Sequence, residues 1–207
     1  MDNKQIKQLA HEGLWKNNPI FVQVLGICST LAVTNLVLNT IVMCAALVFT
    51  LALSALTVSI LREFTPRNIR MMAETLIIAF YVIIIDVLLK AYWPHMSESL
   101  GPYVGLIITN CIVMGRCEAC AISNPPFKAM LDAIFNALGY SFILLIIATI
   151  REVLGMGTFI GFNVPYFSSQ YWDKWTIMVM PPGAFFVLAL ILWGFRSYQM
   201  SKEDKKR

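Results

Sequence analysis

Five cysteines stand in this 207-residue sequence, and two of them have matching surroundings. Cys111 lies in Leu106-Ile-Ile-Thr-Asn-Cys-Ile-Val-Met-Gly-Arg116, an apolar run that ends on a cation, and Cys28 lies in Val24-Leu-Gly-Ile-Cys-Ser-Thr-Leu-Ala-Val-Thr-Asn35. Pro19 stands nine residues before Cys28 and Pro102 nine before Cys111; small and polar residues flank both thiols (Gly26, Ser29 and Thr30; Thr109 and Asn110). The two stretches read as copies of one element that places a thiol at about mid-membrane depth. Thiolates are soft ligands suited to iron-sulfur clusters, and a 2Fe-2S cluster needs four such ligands. Cys28 and Cys111 would supply half, the remainder coming from a partner or from Cys117 and Cys120. Against this stands the tendency of a free cysteine to act as a small buried hydrophobe, the better reading of Cys44. A disulfide between Cys28 and Cys111 is a further alternative, with little to add to helix packing inside a bilayer.

Cys117-Glu-Ala-Cys120 has the C-x-x-C spacing of metal chelation or thiol redox chemistry, but no second C-x-x-C accompanies it. At the cytoplasmic end of an apolar run, plain reduced thiols are the simpler reading. Glu74, Asp86 and Asp132 fall in or at the ends of apolar runs, where an ionisable group is costly and marks a functional candidate. Lys90 follows Asp86 by four residues and predicts a helix-surface ion pair; Glu74, one turn after Arg70, predicts another. Asp132, near the start of a helix, suits the positive end of the helix dipole, and Arg116 and Glu118 flank the cytoplasmic end of the fourth run. His11 and His95 read as loop residues without a neighbouring histidine to complete a zinc or haem site. Gly155-Met-Gly157 has no strand before it and reads as a turn rather than a phosphate cradle.

The elements that must position these groups are apolar helices. Hydrophobic residues make up 58% of the chain and charged residues only 14%, with a mean hydropathy of +0.68; soluble domains carry about a quarter charged residues. No stretch remains for a soluble catalytic domain, and the net charge of +4 follows from topology rather than from a nucleic-acid partner. Runs able to span, or half span, a hydrocarbon core of about 30 Å fall at 19–35, 40–61, 69–90, 100–115, 129–150 and 177–195. The first and fourth barely cross as straight helices at about 1.5 Å per residue and are expected to be short or broken. The first apolar run has no small-residue cleavage site after it, which argues against a removed signal peptide. Residues 1–18 suit a short surface helix with Trp15 at the interface, and Tyr166, Phe167, Tyr171, Trp172 and Trp175 suit an outer interface belt.

Lysines and arginines gather in the N-terminal segment, the 62–70 and 116–128 loops and the C-terminal tail, while Lys90, Arg151 and Lys174 alone fall on the other side. The positive-inside rule then puts both termini in the cytoplasm. Six spans divide into two groups of three, and an odd number in each half gives the halves opposite orientations. The second run ends Ile60-Leu-Arg-Glu-Phe64 and the fifth Thr149-Ile-Arg-Glu-Val153, a further match in the same order. The expected architecture is an all-α polytopic membrane protein of six transmembrane helices in two inverted three-helix repeats. It comprises a cytoplasmic segment at 1–18, repeats at 19–98 and 99–196, and a basic tail at 197–207.

Asn17-Asn-Pro-Ile20, Leu25-Gly-Ile-Cys-Ser29, Leu31-Ala-Val-Thr34, Val104 to Arg116, Arg151-Glu152 and Pro181-Pro-Gly-Ala-Phe185 resemble a family of membrane proteins. It is shared by the sodium-translocating NADH:quinone oxidoreductase, as its D subunit, and the Rnf electron-transport complex, as its E subunit. Asp86 to Tyr92 and Val104 to Arg116 favour the quinone reductase; Pro182-Gly183 favours Rnf. The resemblance implies that Cys28 and Cys111 bind iron of a 2Fe-2S cluster shared with a homologous six-helix subunit of opposite orientation. It implies electron relay across the bacterial inner membrane coupled to Na+ export, with a cytoplasmic FAD and iron-sulfur NADH dehydrogenase subunit and FMN-bearing membrane subunits as partners. Flavins and NADH would bind those other subunits; no catalytic residue is expected here. The chain departs from the family at Cys117-Glu118-Ala119-Cys120, where Ala-Glu-Ala is usual after the arginine, so a different ligand set is the competing assignment. A secondary transporter with incidental cysteines is the alternative of another class.

Overall fold

The computed structural model of the chain describes residues 25–66, 68–156, 158–159, 162–163 and 180–204. It is a bundle of helices: α1 Ile27–Val33, α2 Val37–Leu61, α3 Arg70–Tyr92, α4 Pro94–Ile108, α5 Cys111–Arg116, a π-helical turn Cys117–Ala121, α6 Pro126–Met156 and α7 Pro181–Asp204. A two-residue hairpin follows α6, with β1 Thr158–Phe159 antiparallel to β2 Phe162–Asn163. Val37–Leu61, Arg70–Tyr92, Tyr103–Ala121 and Pro126–Gly155 are each long and apolar enough to cross a bilayer. The polytopic, all-helical membrane architecture expected from composition is therefore present. The expected surface helix at 1–18, the start of the first apolar run and the aromatic belt at 166–175 lie outside the described residues.

Local chemistry sets the boundaries. Pro94, Pro126 and Pro181 each occupy the first position of a helix, where the missing N–H costs nothing and the fixed φ suits the first turn. The fourth apolar run is interrupted: α4 stops at Ile108, and Asn110 caps α5 by accepting from the Ile112 amide at 3.1 Å through its side chain. In the first run the described helix is short. Gly26 holds φ at 79° immediately before α1, and Thr34, Asn35 and Leu36 separate α1 from α2.

The longest helices, α2 and α6, pack along each other and build the core from Leu47, Leu51, Ala55, Leu144 and Ile147, with Ile78 and Val82 joining from α3. Ala129, Ala133 and Ala137 recur every four residues on α6 and are fully buried; such small side chains let backbones approach closely where lipid offers no hydrophobic drive between helices. Thr50 and Ser54, buried on α2, donate to carbonyls of their own helix at 2.8 and 3.2 Å, so neither leaves a polar atom unsatisfied. The outer face of α3 exposes Met72, Leu76, Phe80, Ile83 and Val87. So large an apolar surface is excluded in water and suits contact with lipid or another membrane chain.

Candidate functional site

Cys28 is the second residue of α1 and Cys111 the first of α5, so each cysteine stands in the first turn of a short helix. Both are free thiols and both are exposed, whereas Cys44 and Cys117 are buried. The breaks are tied together. Asn110 Nδ2 donates to Ser29 Oγ at 3.2 Å, joining the residue before one cysteine to the residue after the other.

The backbone at Gly26 anchors this arrangement. Its carbonyl accepts from Thr30 Oγ1 at 2.9 Å and the Tyr140 hydroxyl at 3.0 Å, and Ser29 Oγ stands 3.1 Å from it, its proton going to Tyr140. Tyr140 is fully buried on α6 and shares a second hydrogen bond with Ser29 Oγ. A Cβ at Gly26 would stand 2.7 Å from Ile112 Cδ1 and 2.7 Å from Tyr140 Cε2. The left-handed φ and the close approach of two side chains therefore both require glycine.

The second interruption, Thr34 to Leu36, is held by α6 as well. Arg151 Nη1 donates to Thr34 Oγ1 at 2.5 Å, and Glu152 Oε2 accepts from the Val37 amide at 2.6 Å. Thr34 Oγ1 in turn donates to the Thr30 carbonyl at 2.5 Å. Glu152 thus caps α2 from a distant part of the chain, supplying the acceptor that Leu36, as N-cap residue, lacks. Arg151 and Glu152 are both 2% exposed, so both belong to the interior of the bundle.

The remaining candidates disperse. Cys117 is fully buried and its thiol faces Ser54 Oγ at 3.8 Å; Cys120 instead receives Asn124 Nδ2 at 3.3 Å. Cys44 faces the Ser141 carbonyl at 3.9 Å from the core, as expected of a packing residue. The Asp86–Lys90 pair forms at 2.6 Å. The Arg70–Glu74 pair does not: Arg70 reaches across to Glu118 at 3.3 Å, and Glu74, 2% exposed, leaves Oε1 without a partner. Asp132 is in the second turn of α6 and pairs with Arg116, tying α6 to the end of α5. His95 falls inside α4 rather than in a loop, because Pro94 starts that helix. Gly155 belongs to the last turn of α6, so any turn begins after Met156.

Among the described residues no three His, Cys, Asp or Glu side chains converge to hold a metal ion. Cys28 and Cys111 nevertheless fit a shared thiolate site: soft donors, unhindered, on breaks joined by one hydrogen bond, and too few to close a four-ligand set alone. Reading by residue type missed Tyr140, Arg151 and Glu152 as the groups that hold the breaks. A lone phenol inside an apolar helix and adjacent opposite charges near the end of the same helix were the available signals.

Interrupted helices stitched through buried polar side chains, within a bundle of spans, define a polytopic membrane protein. The pattern of the family described as "Rnf-Nqr subunit, membrane protein" matches residues 6–192, and the chain belongs to that family. It is 41% identical over 99% of both chains to the D subunit of the Na(+)-translocating NADH-quinone reductase of Pseudoalteromonas atlantica. It is 42% identical over 99% of both chains to the protein of that name from Aeromonas salmonicida, and 38% identical over the same shares to that of Yersinia enterocolitica.

Proposed function

We propose that the chain is a membrane subunit of a Na+-translocating NADH:quinone oxidoreductase, in which Cys28 and Cys111 supply half of the thiolates of an intramembrane 2Fe-2S cluster. Near-full-length identity to relatives named as the D subunit of that reductase supports the assembly. One observation supports the site: the two cysteines that open half-helices are exposed and strapped together, while Cys117 of the C-x-x-C pair is buried against Ser54. The missing thiolates come from a homologous six-helix subunit of opposite orientation. The chain itself divides into inverted repeats at 19–98 and 99–196, with both termini on the cytoplasmic face of the inner membrane.

The cluster supplies a one-electron carrier when bound. What the chain supplies is two sulfur ligands at the starts of short helices joined by the Asn110–Ser29 hydrogen bond, and the placement of ligating sulfurs tunes a carrier's potential. Electrons enter from a cytoplasmic subunit carrying FAD and iron-sulfur and leave toward FMN-bearing subunits, with Na+ export coupled to the flow. The oxidoreductase activity belongs to the assembly, and no catalytic residue is assigned to this chain.

Iron analysis and electron paramagnetic resonance of the dithionite-reduced complex test the reading. Cys28→Ala and Cys111→Ala should each abolish one 2Fe-2S resonance together with quinone reduction, while Cys117→Ala and Cys120→Ala retain both. Loss confined to the Cys117 and Cys120 variants moves the ligands to the C-x-x-C pair; full iron and activity in all four favours a transporter with incidental cysteines.

A further inference from the structure

We infer that Tyr140 is a positioning residue for this electron-relay site: its hydroxyl fixes the helix break that carries Cys28 and, through Ser29 and Asn110, the placement of Cys28 relative to Cys111. The inference rests on the cluster reading above and goes beyond it in assigning a role to a side chain that is no ligand.

A phenol fully buried among apolar helices is costly unless its hydroxyl is bonded. The Tyr140 hydroxyl is bonded to the two groups that define the break, the Gly26 carbonyl at 3.0 Å and Ser29 Oγ. Cys28 lies between those two residues in the chain, so the phenol holds the backbone before the thiol and the side chain after it. The seven-residue α1 is far below the length at which a helix holds itself, about 12–15 residues, and must take its position from outside. The 31-residue α6, packed along α2, provides a rigid reference. Asn110 Nδ2, also on Ser29 Oγ at 3.2 Å, extends the connection to the residue before Cys111. Tyr140, Ser29 and Asn110 therefore form one chain of hydrogen bonds from the rigid helix to both cysteine-bearing breaks. Freed of it, the Cys28 sulfur takes up more than one position, and a shared cluster registers this in its electronic environment, because hydrogen bonding and geometry around ligating sulfurs set the potential.

The test uses the purified complex carrying Tyr140→Phe, which keeps the ring that packs against Gly26 and removes only the hydroxyl, and Ser29→Ala, which removes the other end of the same bond. Iron content should stay at the wild-type level in both. The 2Fe-2S resonance should broaden or split, and the reduced-to-oxidised ratio at a fixed ambient potential should change by about threefold or more. The double variant should shift by less than the sum of the two single ones, because the substitutions share the Tyr140–Ser29 bond while each also removes one bond of its own, Tyr140 to the Gly26 carbonyl and Ser29 to Asn110. A sharp wild-type resonance at an unshifted potential in both single variants overturns the positioning role. If Tyr140→Phe fails to assemble, Ser29→Ala decides: a broadened signal supports the role and a wild-type signal overturns it. Failure of the underlying cluster reading is separately visible, since Cys28→Ala and Cys111→Ala would then keep the resonance.

Discussion

Asn110 donates from Nδ2 to Ser29 Oγ at 3.2 Å, and its Oδ1 accepts from the Ile112 amide at 3.1 Å. One side chain therefore caps α5 and ties it to α1. Asn110→Ala removes both bonds and should cost about 2 kcal/mol, roughly 1 for the cap and 1 for the strap. Asn110→Asp keeps the capping acceptor and loses the donor, so it should fall between the two. Unfolding of the solubilised complex in denaturant, read in all three proteins, should reproduce that order; an aspartate variant as stable as the wild type would remove the strap from the account, and one no more stable than the alanine variant would remove the cap.

Gly26→Ala should be among the most damaging single-methyl additions in the described chain. The new Cβ would stand 2.7 Å from both Ile112 Cδ1 and Tyr140 Cε2, and the left-handed backbone adds about 1–2 kcal/mol of its own. Overpacking typically contributes about 1–3 kcal/mol more. Assembled complex in membranes should drop severely, as measured by yield of the co-purified subunits. A variant at wild-type yield would show that the break relaxes easily and that its geometry is not fixed by Tyr140.

How far the sequence reveals this arrangement depends on the distance between partners. The apolar runs announce α2, α3 and α6 within a few residues, because a stretch that must satisfy its own backbone in lipid has only the helix available. The Asp86–Lys90 pair is legible because spacing i,i+4 suffices to predict it. The same rule misplaces Arg70, which has Glu74 one turn away and pairs with Glu118 instead; only packing places the π-helical turn after α5 beside the start of α3. The matching surroundings of Cys28 and Cys111 single out two thiols of five, yet nothing local shows which would be exposed. Tyr140 and Gly26 are 114 residues apart, and Glu152 and Val37 are 115 apart. No local pattern links such pairs, and their bonds exist only once α6 has packed along the first half of the chain.

Glu152 should prove a structural carboxylate. It accepts from the Val37 amide at 2.6 Å and is 2% exposed, so Glu152→Ala leaves a buried N–H without this acceptor, at about 1–3 kcal/mol. Glu152→Gln retains a carbonyl oxygen at the same place and should recover much of the loss. Thermal unfolding midpoints of the two variants in detergent give the comparison, and a glutamine variant as unstable as the alanine one would assign the effect to charge rather than to capping.

Arg116 and Asp132 form an enclosed ion pair, with side chains 13% and 10% exposed. A buried pair contributes little net stability while intact, but breaking it from one side strands a charge at about 3–5 kcal/mol. Asp132→Ala should therefore be far worse than Asp86→Ala, whose partner Lys90 is 63% exposed and keeps its hydration when the pair is lost. Replacing Arg116 and Asp132 together, by Met and Leu, should restore much of what Asp132→Ala loses, since no uncompensated charge then remains. The measurement is a double-mutant cycle on unfolding of the purified complex, with the Asp86–Lys90 cycle as its reference. Strict additivity of the Arg116 and Asp132 single changes would mean that the two side chains act separately, and that α5 and α6 are held together by packing alone.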